Sequence, residues 1–102
     1  MARIAIKNCD SHVITLTPFE AGNMSATDQS YEMYSGRLPE PFRENFQAAR
    51  RDGIIDYCVF SYSTPIAWVL ADGTRIVPPV KYSQSTSRHQ NIVRSAWGME
   101  VA

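Results

Sequence analysis

A chain of 102 residues, 44% apolar and 20% charged, has enough hydrophobic material for one modest core and too much for a disordered tail. Ten basic and ten acidic residues cancel, which removes overall charge as a reason to expect nucleic acid or an anionic membrane as partner. No apolar run approaches the ~20 residues of a membrane-spanning helix, so a single soluble domain spanning 1–102 is expected, with no membrane partner.

Arg3 to Lys7 alternates apolar and polar residues, and His12 to Thr17 places Ile14 and Leu16 on one face. This spacing predicts an N-terminal β-hairpin turning through Asn8 to Ser11. Pro18 to Ser35 carries Gly, Asn, Ser, Thr and Asp without sustained periodicity and reads as loop, with a short ordered piece near Tyr31 to Tyr34. Pro39 and Pro41 then precede a stripe of Phe42, Phe46 and Ala49 that stops at Gly53, which is the pattern of a helix. Its other face carries Arg43, Glu44, Gln47, Arg50 and Arg51, with Glu40 and Glu44 toward the start and the arginines toward the end, as the helix dipole favours.

Ile54 to Tyr62 is β-branched, aromatic or apolar on both alternating sets, which predicts a central strand. Thr64-Pro65 interrupts it, and Ile66 to Leu70 resumes as a second strand with Ile66, Trp68 and Leu70 on one face. Pro65 lacks a backbone donor and belongs at the first residue of that strand or in the connection. Asp72-Gly73 predicts a type I′ hairpin turn into Arg75-Ile76-Val77, and Pro78-Pro79 ends the third strand. Ser85 to Trp97 reads as a helix with Ile92, Val93, Ala96 and Trp97 along one stripe, Ser83 or Ser85 as N-cap and Gly98 past the end. The expected fold class is α+β: a small antiparallel sheet, made of an N-terminal hairpin plus a three-stranded meander, packed with two helices.

Few residues are arranged for chemistry. Cys9 and Cys58 fall in two different predicted strand regions with no second Cys or His at ligand spacing, so no metal site is expected. The N-terminus MARIAIKNCD has no apolar signal core, and the sparse cysteines suit a reducing compartment, so a cytoplasmic location is expected. The glycines stand singly near predicted turns and form no phosphate loop, and no cofactor is expected. The serines make no G-x-S-x-G elbow or S-x-x-K, so no catalytic residue is assigned. His89 falls on the buried stripe of its helix, where a hydrogen-bonded structural imidazole is the first reading. A small hydrolase or nuclease pairing His89 with His12 is the enzymatic alternative.

Binding needs less special chemistry. From Thr74 onward Arg75, Lys81, Arg88 and Arg94 stand against Glu100 alone. The polar start of the last helix has no packing explanation, and Lys81, Tyr82, Ser87, Arg88, His89, Gln90 and Arg94 form the candidate binding set. The aromatic-rich stretch 31–42 is a second candidate surface. Tyr57, Tyr62, Trp68 and Tyr82 with nearby cations supply the residue types for single-stranded nucleic acid, an alternative held back by the small number of cations.

The segments YCVFSYSTPIAWVLADG and VPPVKYSQSTSRHQ resemble a family of small proteins of unknown function encoded by actinobacteriophages and found in actinobacterial genomes. The resemblance rests on the strand turn from Tyr62 to Trp68 and the helix start from Lys81 to Gln90; the first half of the chain adds nothing to it. It brings no catalytic residues. It implies a non-structural phage product made in the host cytoplasm, and a binding module that engages a host protein is the leading expectation. Homodimerisation through an exposed edge strand is a further one.

Overall fold

Six strands run in chain order across one sheet in the computed structural model, which describes residues 2–99. Met1 and residues 100–102, Glu100 of the charge tally among them, lie outside the described residues. The strands are β1 (Ala2–Arg3), β2 (Phe19–Ala21), β3 (Met24–Thr27), β4 (Ile55–Ser61), β5 (Thr64–Leu70) and β6 (Arg75–Ile76). β1 pairs parallel with β2, and every later neighbour is antiparallel. Three helices cover the sheet: α1 (Asp10–Thr15), α2 (Phe42–Arg51) and α3 (Gln84–Ala96). The fold is α+β, with β2 to β6 as an antiparallel meander.

β4 and β5 are central because both of their faces are apolar. One face presents Tyr57, Val59, Ala67 and Val69 to Val13 of α1 and to Val93 and Trp97 at the α3 end. The other presents Cys58, Phe60 and Trp68 to Phe46 of α2 and to Met33 and Leu38 of the preceding loop. Two polar contacts fasten the first layer: a buried one, in which the Trp97 indole N–H donates to the Val13 carbonyl at 3.0 Å, and a partly buried one, from the Tyr57 hydroxyl to the Thr17 carbonyl at 2.9 Å.

A hairpin does precede the three-stranded unit, but not across residues 3–17. Ile6 to Asn8 forms a 3-10 turn and Asp10–Thr15 is helical. Cys9 and Val13, four residues apart, are the side chains buried there, while Ile14 is 52% exposed. A six-residue apolar alternation fits periods of 2 and 3.6 about equally, and burial of an i, i+4 pair decides for the helix. Leu16 stops it in a left-handed cap at φ 56. The hairpin is β2–β3, joined through Gly22 at φ 60, in the segment expected to be loop. Its strands of three and four residues are too short to show periodicity.

Asp72-Gly73 also differs from expectation. Only Gly73 takes positive φ, at 89, and the Asp72 carboxylate accepts the Thr74 N–H at 2.9 Å within a longer connection. An Asx turn has replaced the type I′ turn. The type I′ signature lies instead between β4 and β5, where Ser61 pairs with Thr64 and both Tyr62 (φ 49) and Ser63 (φ 67) are left-handed.

Candidate binding site beside the hairpin tip

The β4–β5 turn lies against the start of α3. Ser83 caps that helix, its Oγ accepting the Thr86 N–H at 3.2 Å, and a line of hydroxyls runs inward. Ser83 Oγ donates to Thr86 Oγ1 at 3.2 Å, and Ser61 Oγ lies 3.1 Å from Thr86 Oγ1 and 2.7 Å from His89 Nδ1. The Tyr62 ring stacks over His89 with centroids 6.1 Å apart. His89 is 6% exposed and Ser61 1%. Burial pushes the His89 pKa below the ordinary imidazole value, because a charge there is removed from water.

From the other side the loop before α2 closes on the same turn. The Arg37 N–H donates to Thr64 Oγ1 at 3.2 Å, and Gly36 lies so close that a Cβ there would sit 2.5 Å from the Ser63 carbonyl oxygen. Between them is a groove of about 650 Å³. It is lined by Arg37 of the loop, by Ser61, Tyr62 and Thr64 of the hairpin, and by Tyr82, Ser83, Ser85 and Thr86 at the start of α3. The Tyr82 hydroxyl is buried without a hydrogen-bond partner among the described residues, and burial raises its pKa.

The seven residues of the sequence-derived set do not share a surface. Tyr82 lines the groove. His89 lies beneath Tyr62 in the hydrogen-bonded, structural setting described above. Gln90 is buried and structural as well, its side-chain N–H groups donating to the carbonyls of Val80 at 3.0 Å and Pro78 at 3.4 Å. Arg88 faces a separate hollow between α1 and α3 that it shares with Lys7 and Asp10. Arg94 donates to Asn91 Oδ1 at 3.3 Å, Lys81 is exposed in the connection before α3, and Ser87 is half-buried. His12 packs edge-on against Phe19, and no hydrogen bond or ring contact joins it to His89 among the described residues.

Arg37 fell within the candidate stretch 31–42, whereas Thr64 was read only as the break between two strands and Ser85 only as an alternative helix cap. Tyr62 was read as the end of a strand and as one of the aromatics of the nucleic-acid alternative, not as a left-handed turn residue. The signal for it was the two-residue spacing between Ser61 and Thr64, hidden because Tyr and Ser are unusual at left-handed positions. Both cysteines are free and buried, and burial raises their thiol pKa values, which disfavours the thiolate. No group of three or more His, Cys, Asp or Glu side chains stands together among the described residues. No helix there is long and apolar enough to cross a membrane.

The unit that builds this groove, from the cap of α1 through the end of α3, is also what comparison with known proteins recovers. A family of unknown function, DUF8033, matches residues 16–98. The chain belongs to the DUF8033 family. The DUF8033 match takes in both sides of the groove, the hairpin tip and all of α3, leaving only α1 and the segment before it outside. No curated protein and no solved structure matches the chain.

Proposed function

We propose that this DUF8033 member is a non-catalytic binding module that docks a partner protein with the β4–β5 hairpin tip and the groove beside it. The observation that carries this reading is Tyr62. It is a bulky aromatic held at φ 49 and 52% exposed, where a two-residue turn favours Asn or Gly and where a left-handed non-glycine residue costs roughly 1–2 kcal/mol. Strain kept at an exposed aromatic is characteristic of recognition sites, and Tyr with Arg is the pairing that dominates binding hot spots. Arg37 supplies the second half of that pairing across the groove. In the setting the family resemblance implies, the partner is a host protein and the chain a phage product acting in the host cytoplasm.

The test is photo-crosslinking in expressing actinobacterial cells, with a photoreactive residue replacing Tyr62 or, on the far side of the sheet, Arg51. A discrete adduct from position 62, absent from 51 and lost with Arg37→Glu, supports the reading. Equal or absent adducts at the two positions overturn it.

One observation favours a second reading. The 2.7 Å Ser61–His89 contact is the geometry of a nucleophile and its base, although Ser61 is almost fully covered and only Nδ1 of His89 is engaged among the described residues. Labelling of Ser61 by a fluorophosphonate probe, lost in His89→Ala, would make the chain a hydrolase. Nucleic-acid binding has less support, since Lys81, Arg88 and Arg94 form no common face. Edge pairing between copies has little backbone to use, as the edges β1 and β6 are two residues each.

A further inference from the structure

We propose that the groove between Arg37 and the start of α3 binds a phosphate monoester whose organic group includes a planar aromatic ring. This rests on the reading of the hairpin tip as a recognition site and names the chemistry it recognises.

Three features of the groove converge on an anion. None of its lining residues is acidic, and Arg37 is the cation among them. Its guanidinium makes no ion pair among the described residues, so its fork of donors is free for a bidentate contact. Hydroxyls of Ser85 and Thr64 line the same space. The backbone N–H groups of Gln84 and Ser85, first in the thirteen-residue α3, have no backbone acceptor among the described residues; they add donors and the positive end of the helix dipole.

Two features converge on a flat ring. Tyr62 and Tyr82 both line the groove, and aromatic faces stack on bases or phenyl rings over a range of offsets. The Tyr82 hydroxyl has no hydrogen-bond partner among the described residues, and its ring packs against the core beside the groove, which holds its face in place. A volume of about 650 Å³ is in the range of small-molecule sites. Two further hollows lack this combination. One holds Glu20 and Glu32, and the other sets Asp10 against Lys7 and Arg88.

Two sources carry this chemistry: a free nucleoside monophosphate, and a phosphotyrosine on a partner. Calorimetric titration of the full chain with adenosine and guanosine monophosphates, phosphotyrosine, inorganic phosphate and adenosine separates them. The expected result is saturable binding of a ring-bearing phosphate, about tenfold tighter than inorganic phosphate or adenosine. Nucleotide as the preferred ligand assigns a free metabolite; phosphotyrosine assigns a modified partner. Arg37→Ala should weaken binding about tenfold or more.

Ser85→Asp guards against misfolding as an explanation, because an acid in the first turn of α3 favours the helix while repelling an anion. It should abolish binding with the melting temperature unchanged or raised, whereas Arg88→Ala should leave binding intact. No binding of any ring-bearing phosphate, inorganic phosphate binding as tightly as they do, or binding indifferent to both Arg37→Ala and Ser85→Asp overturns the proposal. If crosslinking at position 62 persists while phosphates fail, the docking surface stands and its phosphate chemistry alone is rejected.

Discussion

Ser61 on β4 and His89 on α3 meet at 2.7 Å between Oγ and Nδ1, tying the central strand to the helix that covers it. Burial holds the His89 pKa below its ordinary value, so the folded protein keeps the ring neutral where an unfolded chain would protonate it near pH 6.5. Below that pH the unfolded state binds more protons. Stability from this source is therefore complete above about pH 6.5 and is lost as the pH falls from there toward the folded-state value. Thermal melts of wild type should drop between pH 7 and pH 5, and His89→Gln should drop less. Parallel pH profiles for the two proteins would count against a buried neutral imidazole.

On the opposite face Phe46 is the fully buried residue of α2, with Phe42 and Ala49 packed beside it. It meets the Trp68 ring edge-on, with centroids 4.9 Å apart. Phe46→Ala should cost about 3–5 kcal/mol in urea unfolding, and Phe46→Leu, which keeps most of the volume, well under that. An Ala variant within about 0.5 kcal/mol of wild type, the range of ordinary surface substitutions, would mean that α2 is held by something other than this contact.

The contrast between those two helices shows what sequence could and could not display. α2 was legible because Phe42, Phe46 and Ala49 recur at helical spacing between prolines and Gly53, and α3 because Ser83 and Gly98 mark its ends. β4 and β5 were legible because seven-residue strands buried on both sides leave continuous apolar runs. α1, β2 and β3 are shorter than the window over which any period declares itself. The groove was harder still. It takes Arg37, Tyr62 and Ser85 from three separated segments, and only the pairing of Ser61 with Thr64 and the approach of Gly36 to Ser63 bring them together. His89 was anticipated as a hydrogen-bonded buried residue, whereas its partner was set by strand register and had no local signature.

The hairpin tip carries strain that a substitution can release. Ser63 is exposed at φ 67, a conformation glycine adopts without the Cβ penalty. Ser63→Gly adds some unfolded-state entropy but should still raise stability by about 0.5–1 kcal/mol. For a domain of this size that shifts the melting temperature upward by a few degrees. A lower melting temperature would show that the serine makes an interaction worth more than the strain.

Gly36 tests the closure of the groove most directly. It shares left-handed φ with Gly53, at +52 and +69, but the two differ in surroundings. A Cβ at Gly53 meets nothing within 4 Å, whereas one at Gly36 would lie 2.5 Å from the Ser63 carbonyl oxygen and 3.0 Å from the Thr64 Cα. Those are backbone atoms of a paired turn and cannot swing aside as a flexible side chain would. Gly53→Ala should therefore cost only the conformational penalty, about 1–2 kcal/mol. Gly36→Ala should cost about 1–3 kcal/mol more, as overpacking does. The loop must retreat to relieve the contact, which breaks the bond from the Arg37 N–H to Thr64 Oγ1 and withdraws one wall of the groove. Urea unfolding gives the two costs, and amide exchange at Arg37 reads the local opening. Equal costs with Arg37 still protected would mean that the loop and the hairpin tip are not locked together, and that the groove between them is not preformed.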